Sequence, residues 1–324
     1  MYKTILVPTE GSDIERPAIN LAVRLARRLD AELRLVRVET APVVIERVPG
    51  SSPLNITEND WHAARLDREH KLEALGTQLR ALGEIHVSTA VLDGIVNTTL
   101  VDYARRSKID LVVMSSHLRG GFKRATLGSV TDYLIRNSDI PVLIAKPSLL
   151  EGDDASTTGF DRIVVTLDGS PLAEQIMPHV STLASALGTS VNLLRVLTPQ
   201  TYSQQRIMQP GLPWWDEAMA NANSYLAEIA GRLEKSGIAA SKDVTIADDV
   251  PAAIVDYAMR VKADLIAIAT SGAGGFKRLF LGSVADRVTR QSPISMLVFH
   301  ALDSTGRSSE GQRERERLTP VHQK

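Results

Sequence analysis

Two Gly-Ser pairs, Gly128-Ser129 and Gly282-Ser283, stand where this chain could do chemistry. Each lies in a decapeptide, GFKRATLGSV (Gly121 to Val130) or GFKRLFLGSV (Gly275 to Val284), and the two match at eight of ten positions. A helix is expected behind each, near Val130 to Asn137 and Val284 to Gln291. A helix start carries N–H groups with no partner inside the helix, and these favour a phosphate. Glycine permits close approach of the backbone, and serine suits a helix cap. Upstream, SSHLRGGFKR and TSGAGGFKR supply Gly-bearing loops. Together these parts could cradle a polyphosphate. The alternative is a capped helix behind a flexible loop with nothing bound, and a Gly-rich loop alone does not separate the two.

Other chemistries find little support. The chain has no cysteine, which excludes disulfides, thiolate metal sites and a cysteine nucleophile, and fits a reducing compartment. Its seven histidines show no HExxH spacing, and neither a GxSxG elbow nor a Walker pattern occurs. His117 sits beside the first loop, but its counterpart is Ser271, so it reads as a loop residue rather than a base. Lys123-Arg124 and Lys277-Arg278 could neutralise phosphate, face solvent or meet a subunit. Trp214-Trp215 reads as a staple on the helix start that follows. A formal net charge of -1 makes no case for nucleic acid or an acidic membrane surface. No apolar run approaches the ~20 residues of a membrane span, and ILVP at Ile5 to Pro8 is too short and too early for a signal peptide. A soluble, cytoplasmic protein is expected.

The elements that must hold these loops occur twice. The chain has 324 residues, enough for about two domains. KTILVPTEGS (Lys3 to Ser12) returns as DRIVVTLDGS (Asp161 to Ser170), 158 residues on, each a buried strand running into a turn. Ile14, Ala18, Ala22, Leu25, Ala26 and Leu29 form one apolar helical face, matched by Leu172, Ile176, Val180, Leu183, Ala184 and Leu187. Second strands follow at Ala31 to Val38 and Ser190 to Val196, then long helices near Trp61 to Leu82 and Trp215 to Lys235. Third strands are expected near Ile85 to Val91 and Lys242 to Ala247. From there the offset is 154, and Ile95 to Met114 pairs with Asp249 to Ile268, each a helix leading to a strand. Last strands fall at Pro141 to Lys146 and Ser295 to His300.

Each half is therefore ordered βαβαβαβαβ, which implies a parallel sheet with helices on both faces. In such doubly wound sheets ligands bind at the carboxyl ends of the strands, where the strand order reverses. That directs attention to the turns after the first strand and the loops after the fourth. The expected organisation is one domain over 1–147, a linker over 148–159, a second domain over 160–302, and a polar, disordered tail over 303–324.

The two halves resemble universal stress protein domains joined in tandem. The resemblance rests on ILVPTEGS and IVVTLDGS, on DLVVMSSHLRGGFKRATLGSV and DLIAIATSGAGGFKRLFLGSV, and on IPVLIAKP. It implies a five-stranded parallel sheet of order 3-2-1-4-5 in each half. It implies dimerisation through last strands, which a tandem chain could satisfy within itself as a pseudo-dimer, with further association into a homo-oligomer. One branch of the family binds ATP through Gly, two residues, Gly, nine residues, Gly, then Ser or Thr. In that branch an acidic residue after the first strand helps hold the phosphates through Mg. The other branch lacks the glycines and binds no nucleotide.

Against that pattern the second half matches at Asp168, Gly272, Gly282 and Ser283, with Ala269 in place of the first glycine. The first half matches at Gly128 and Ser129, but Ser115 and Leu118 replace the first two glycines and Glu10 is the acidic residue. Nucleotide is therefore expected in the second half more than in the first. By the resemblance, Leu167, Val196 and Ile268 would line the base, the N–H groups of Val284 and Ala285 would join Ser283 on the phosphates, and Asp168 would hold Mg. The weaker set in the first half is Thr9, Glu10, Val38, Met114, Gly128, Ser129 and Val130. The adenine-pocket positions read equally well as sheet core or rim. Three functions follow: an ATP-binding stress-response regulator, a nucleotide-free interaction module of the same fold, and an ATP-using enzyme. No general base or placed nucleophile supports the third.

Overall fold

The computed structural model describes residues 2–40, 58–83, 85–115, 127–146, 160–199, 214–271 and 282–301. The linker 148–159, the tail 303–324, His117, Leu118, Gly272 and both Lys-Arg pairs lie outside the described residues.

The first half runs β1 (Thr4–Pro8), α1 (Arg16–Leu29), β2 (Glu32–Glu39), α2 (Glu58–Ala81), β3 (Val87–Asp93), α3 (Val96–Arg106), β4 (Leu111–Ser115), α4 (Ser129–Asn137) and β5 (Val142–Ala145). The second half repeats it as β6 (Arg162–Thr166), α5 (Met177–Leu187), β7 (Ser190–Leu197), α6 (Trp214–Lys235), β8 (Ala240–Ile246), α7 (Val250–Arg260), β9 (Leu265–Ser271), α8 (Ser283–Gln291) and β10 (Ser295–Ala301). Short 3-10 turns, Asp13–Glu15 and Ala173–Ile176, lead into α1 and α5.

The strands of the described residues join one 10-stranded sheet of order β3-β2-β1-β4-β5-β10-β9-β6-β7-β8. Each half thus has the expected 3-2-1-4-5 order, with parallel pairing inside it. The halves meet where β5 and β10 pair antiparallel, Val142 opposite Val298, Leu143 opposite Leu297 and Ile144 opposite Met296. These six side chains are 0% exposed, so the sheet core is continuous across the seam. Both faces of the sheet are covered, which is why its central strands read as unbroken apolar runs. Ile5 and Val7 face the layer of α1, α2, α5 and α6, while Leu6 faces that of α3, α4, α7 and α8. At the seam the Lys146 N–H donates to Ser295 Oγ at 3.1 Å, and burial pushes the pKa of the Lys146 ammonium down.

Three expectations are corrected. Ile14 is not on the buried face of α1: it lies in the 3-10 turn before the helix and is 49% exposed, because the tighter turn breaks the 3.6-residue period. Ser129 and Ser283 are not the caps of α4 and α8. Gly128 and Gly282 are the N-caps, since their carbonyls take the first helical bonds, from Asp132 N–H and Asp286 N–H, both at 2.9 Å. The third strands begin two residues late in the first half (Val87) and two early in the second (Ala240).

Candidate functional site

In the second half a cavity of about 330 Å³ opens at the carboxyl ends of the strands. That volume is at the lower end for small-molecule sites. It sits between β6 and β9, neighbours in the sheet from which the strand order departs in opposite directions. The end of β6 contributes Thr166, Leu167 and Asp168, β7 contributes Leu194 and Val196, and β9 contributes Ile268, Ala269 and Thr270. Val250 and Ile254 come from α7, Ala173 from the 3-10 turn, and Gly282, Ser283, Val284 and Ala285 from the start of α8. The structure therefore brings together all the second-half candidates that it describes; Gly272 lies outside the described residues.

The cavity has an apolar wall and a polar rim. Leu167, Leu194 and Ile268 are buried, and Val196 is partly so. On the rim, Gly282 holds φ −48° and ψ 140°, and α8 begins at the next residue. The N–H groups of Ser283, Val284 and Ala285 belong to the first turn and have no helical acceptor. Their partial positive charge is that of a helix N-terminus. Asp168 is exposed, and its Oδ1 accepts the Ser170 N–H at 2.8 Å. Ser170 Oγ in turn accepts the Ala173 N–H at 3.1 Å. Gly169 has φ +88°, the left-handed region that glycine enters without strain, and a Cβ there would lie 2.9 Å from an Arg195 nitrogen. The Arg195 guanidinium sits 5.4 Å from the Tyr225 ring centroid. Asp249 caps α7 through the Ala252 N–H at 3.2 Å and reaches Arg287 of α8 at 2.8 Å. The Arg287 guanidinium holds the Asp249 carboxyl below the usual carboxylate range. This pair ties together the two helices whose first residues line the cavity.

The first half places its candidates differently. Met114 is buried in the core, and Val38 and Val130 pack at its edge. Gly128 caps α4, and Ser129 is exposed on its first turn. Thr9 is buried, and its hydroxyl donates to Glu15. Glu10 is exposed; its carbonyl accepts from Arg37, and its N–H donates to Glu15 at 2.9 Å. Ser115 is buried and its Oγ accepts the Ala18 N–H at 3.2 Å. Glu15 is the residue that the sequence reading missed. A signal was available: it is an acidic residue on the first turn of the repeat, and its counterpart 158 residues on is Ala173.

The sequence model of the Universal stress protein family matches residues 1–146 and 159–300. A universal stress protein of Mycolicibacterium smegmatis is 28% identical over 303 residues, covering 91% of this chain and 96% of its own. One from Methanocaldococcus jannaschii is 32% identical over 149 residues, covering 45% of this chain and 83% of its own. A universal stress protein structure from Archaeoglobus fulgidus superposes with TM-score 0.66 at 17% identity, covering 92% of this chain and 98% of that one. Two family matches on two copies of one fold settle the membership: the chain belongs to the universal stress protein family.

Proposed function

We propose that the second half binds ATP together with Mg, and that the chain acts as a stress-response regulator rather than an enzyme. The observation that carries this reading is one cleft that joins an apolar wall to an open helix start and a carboxylate. Leu167, Val196 and Ile268 suit the flat face of a base. Ser283 and the N–H groups of Val284 and Ala285 suit phosphate oxygens. Mg is usually held by one or two carboxylates plus substrate phosphates, a role that Asp168 on the rim can fill. Ligand binding would favour one arrangement of the surface that partners read.

The antiparallel β5–β10 seam supports reading the two halves, 1–147 and 160–302, as an intrachain pseudo-dimer that associates further into a homo-oligomer. A second reading, a nucleotide-free interaction module, is favoured by the first half, where Glu15 fills the strand-one turn. Among the described residues no helix is long and apolar enough to cross a membrane.

The test is to purify the protein without added nucleotide, denature it, and identify the released small molecules by chromatography and mass spectrometry. Gly282 has a negative φ, so Gly282→Val adds bulk beside the cavity without forcing a side chain into the left-handed region. ATP is expected from the parent protein and from Gly128→Val, and not from Gly282→Val. Release unchanged by Gly282→Val would refute the assignment to the second half.

A further inference from the structure

The strand-one turn of the first half is already occupied. The Glu15 carboxylate accepts the N–H of Glu10 at 2.9 and 3.1 Å, that of Gly11 at 3.1 Å and that of Ser12 at 3.3 Å. The Thr9 hydroxyl donates to it as well. Successive N–H groups converging on one point form a nest that binds anions. Gly11, at φ +82°, provides the bend that aims them. Glu15 is only 7% exposed, so this carboxylate is withdrawn from solvent into the turn.

The second half has the same bend without a buried carboxylate drawn into it: there the Ser170 N–H is met by Oδ1 of the exposed Asp168. Gly169 holds φ +88°. In place of Thr9 and Glu15 stand Leu167 and Ala173, and both line the cavity. The two exchanges go together. The half that carries the carboxylate also carries its hydroxyl donor, and the half that lacks the carboxylate has an apolar side chain where that donor stood. A carboxylate tethered within five residues of its nest is present at high effective concentration, so a free anion competes poorly against it. Its charge also repels a phosphate brought near.

We propose that Glu15 is a built-in anion that closes the first half to anionic ligands, and that the Glu15/Ala173 difference selects which half binds. The selection rests on the nucleotide reading of the second half; the occupancy of the nest by Glu15 does not.

The experiment has two arms on the full chain. In the first, thermal unfolding is followed for the parent protein and Glu15→Ala, in sodium formate and in sodium chloride of equal ionic strength. Removing several charge-assisted bonds lowers Tm by about 4–8 °C. Formate fits the vacated nest and restores much of that loss, while leaving the parent unchanged. In the second arm, Mg-ATP stoichiometry is measured by calorimetry. The parent binds one per chain, Glu15→Ala binds two, and Ala173→Glu binds none. Should Glu15→Ala fail to fold, Ala173→Glu decides the matter, and unchanged binding by it overturns the proposal. No formate rescue of a folded Glu15→Ala overturns the occupied nest. Rescue without a second nucleotide overturns the selecting role. A parent that binds no nucleotide sinks the nucleotide reading alone, and the formate arm still judges Glu15.

Discussion

His179 should make this protein lose stability steeply between pH 6.5 and 4. The ring lies on α5 in the second half, between Tyr2 of the first half and Phe299 of β10. Its Nδ1 is 3.0 Å from the Tyr2 hydroxyl, and its centroid is 4.5 Å from that of Phe299. Tyr2 is 4% exposed. Burial pushes the imidazole down to about 4 and pushes the Tyr2 phenol up. With the ring neutral and its proton on Nε2, the hydroxyl donates to Nδ1; a protonated ring has no lone pair to accept it. Because the folded value is depressed, the unfolded chain binds a proton first as pH falls. The contribution is complete above about 6.5 and is lost as pH drops through the folded value. Between pH 7 and 4.5 the linkage amounts to roughly 2 kcal/mol once partial exposure of the ring is allowed for. Carboxylates titrate in the same window, so the measurement is a difference. Urea unfolding of the parent and of His179→Phe is compared at pH 7 and 4.5. The parent should lose roughly 2 kcal/mol more than the variant. Equal losses, or an NMR titration of His179 near the ordinary histidine value, would refute the reasoning.

Two further outcomes follow from backbone and burial. Gly169→Ala should cost about 2 kcal/mol in urea unfolding, against about 1 kcal/mol for Gly188→Ala. Both glycines have positive φ, but a Cβ at Gly169 must push the Arg195 guanidinium off the Tyr225 ring, whereas one at Gly188 meets nothing within 4 Å. Lys146→Met should stabilise the fold by on the order of 1 kcal/mol near pH 7, because an apolar chain of similar length avoids burying a charge. Lys146 is 5% exposed, and its Nζ has a long contact, 3.4 Å, to the Thr289 carbonyl. Its depressed pKa means that the parent gains stability as pH rises toward the unfolded lysine value; the Met variant should lack that rise.

Much of the architecture is legible in the sequence because the repeat is internal. Two strands 158 residues apart, each ending in an acidic residue, Gly and Ser, identify both copies and the turn that matters. Period alone gives a parallel sheet; the 3-2-1-4-5 order came from the family resemblance and agrees with the fold. The cavity wall is partly legible for the same reason: Leu167 follows β6, Val196 lies near the end of β7 and Ile268 lies within β9, all at the predicted switch point. Ala173 and Ile254 are not, because helix residues reach the cleft only through tertiary packing. The Ser12-x-x-Glu15 spacing announces one contact, from the Ser12 N–H, but not the Glu10 and Gly11 amides that the bend at Gly11 also aims at the carboxylate. The Tyr2–His179 contact spans 177 residues and exists only because β5 and β10 pair. Ile14 misleads since a helical period continues on paper through a turn that is not α-helical.

The most direct measurement is a crystal structure grown with Mg and a non-hydrolysable ATP analogue. The prediction is one nucleotide in the second half, its base against Leu167, Val196 and Ile268, its phosphates at the start of α8, and the metal facing Asp168. The first half should show the Glu15 carboxylate still seated on the Glu10, Gly11 and Ser12 amides. Nucleotide bound in the first half instead, or a second-half cleft left empty at saturating analogue, would contradict the central claim.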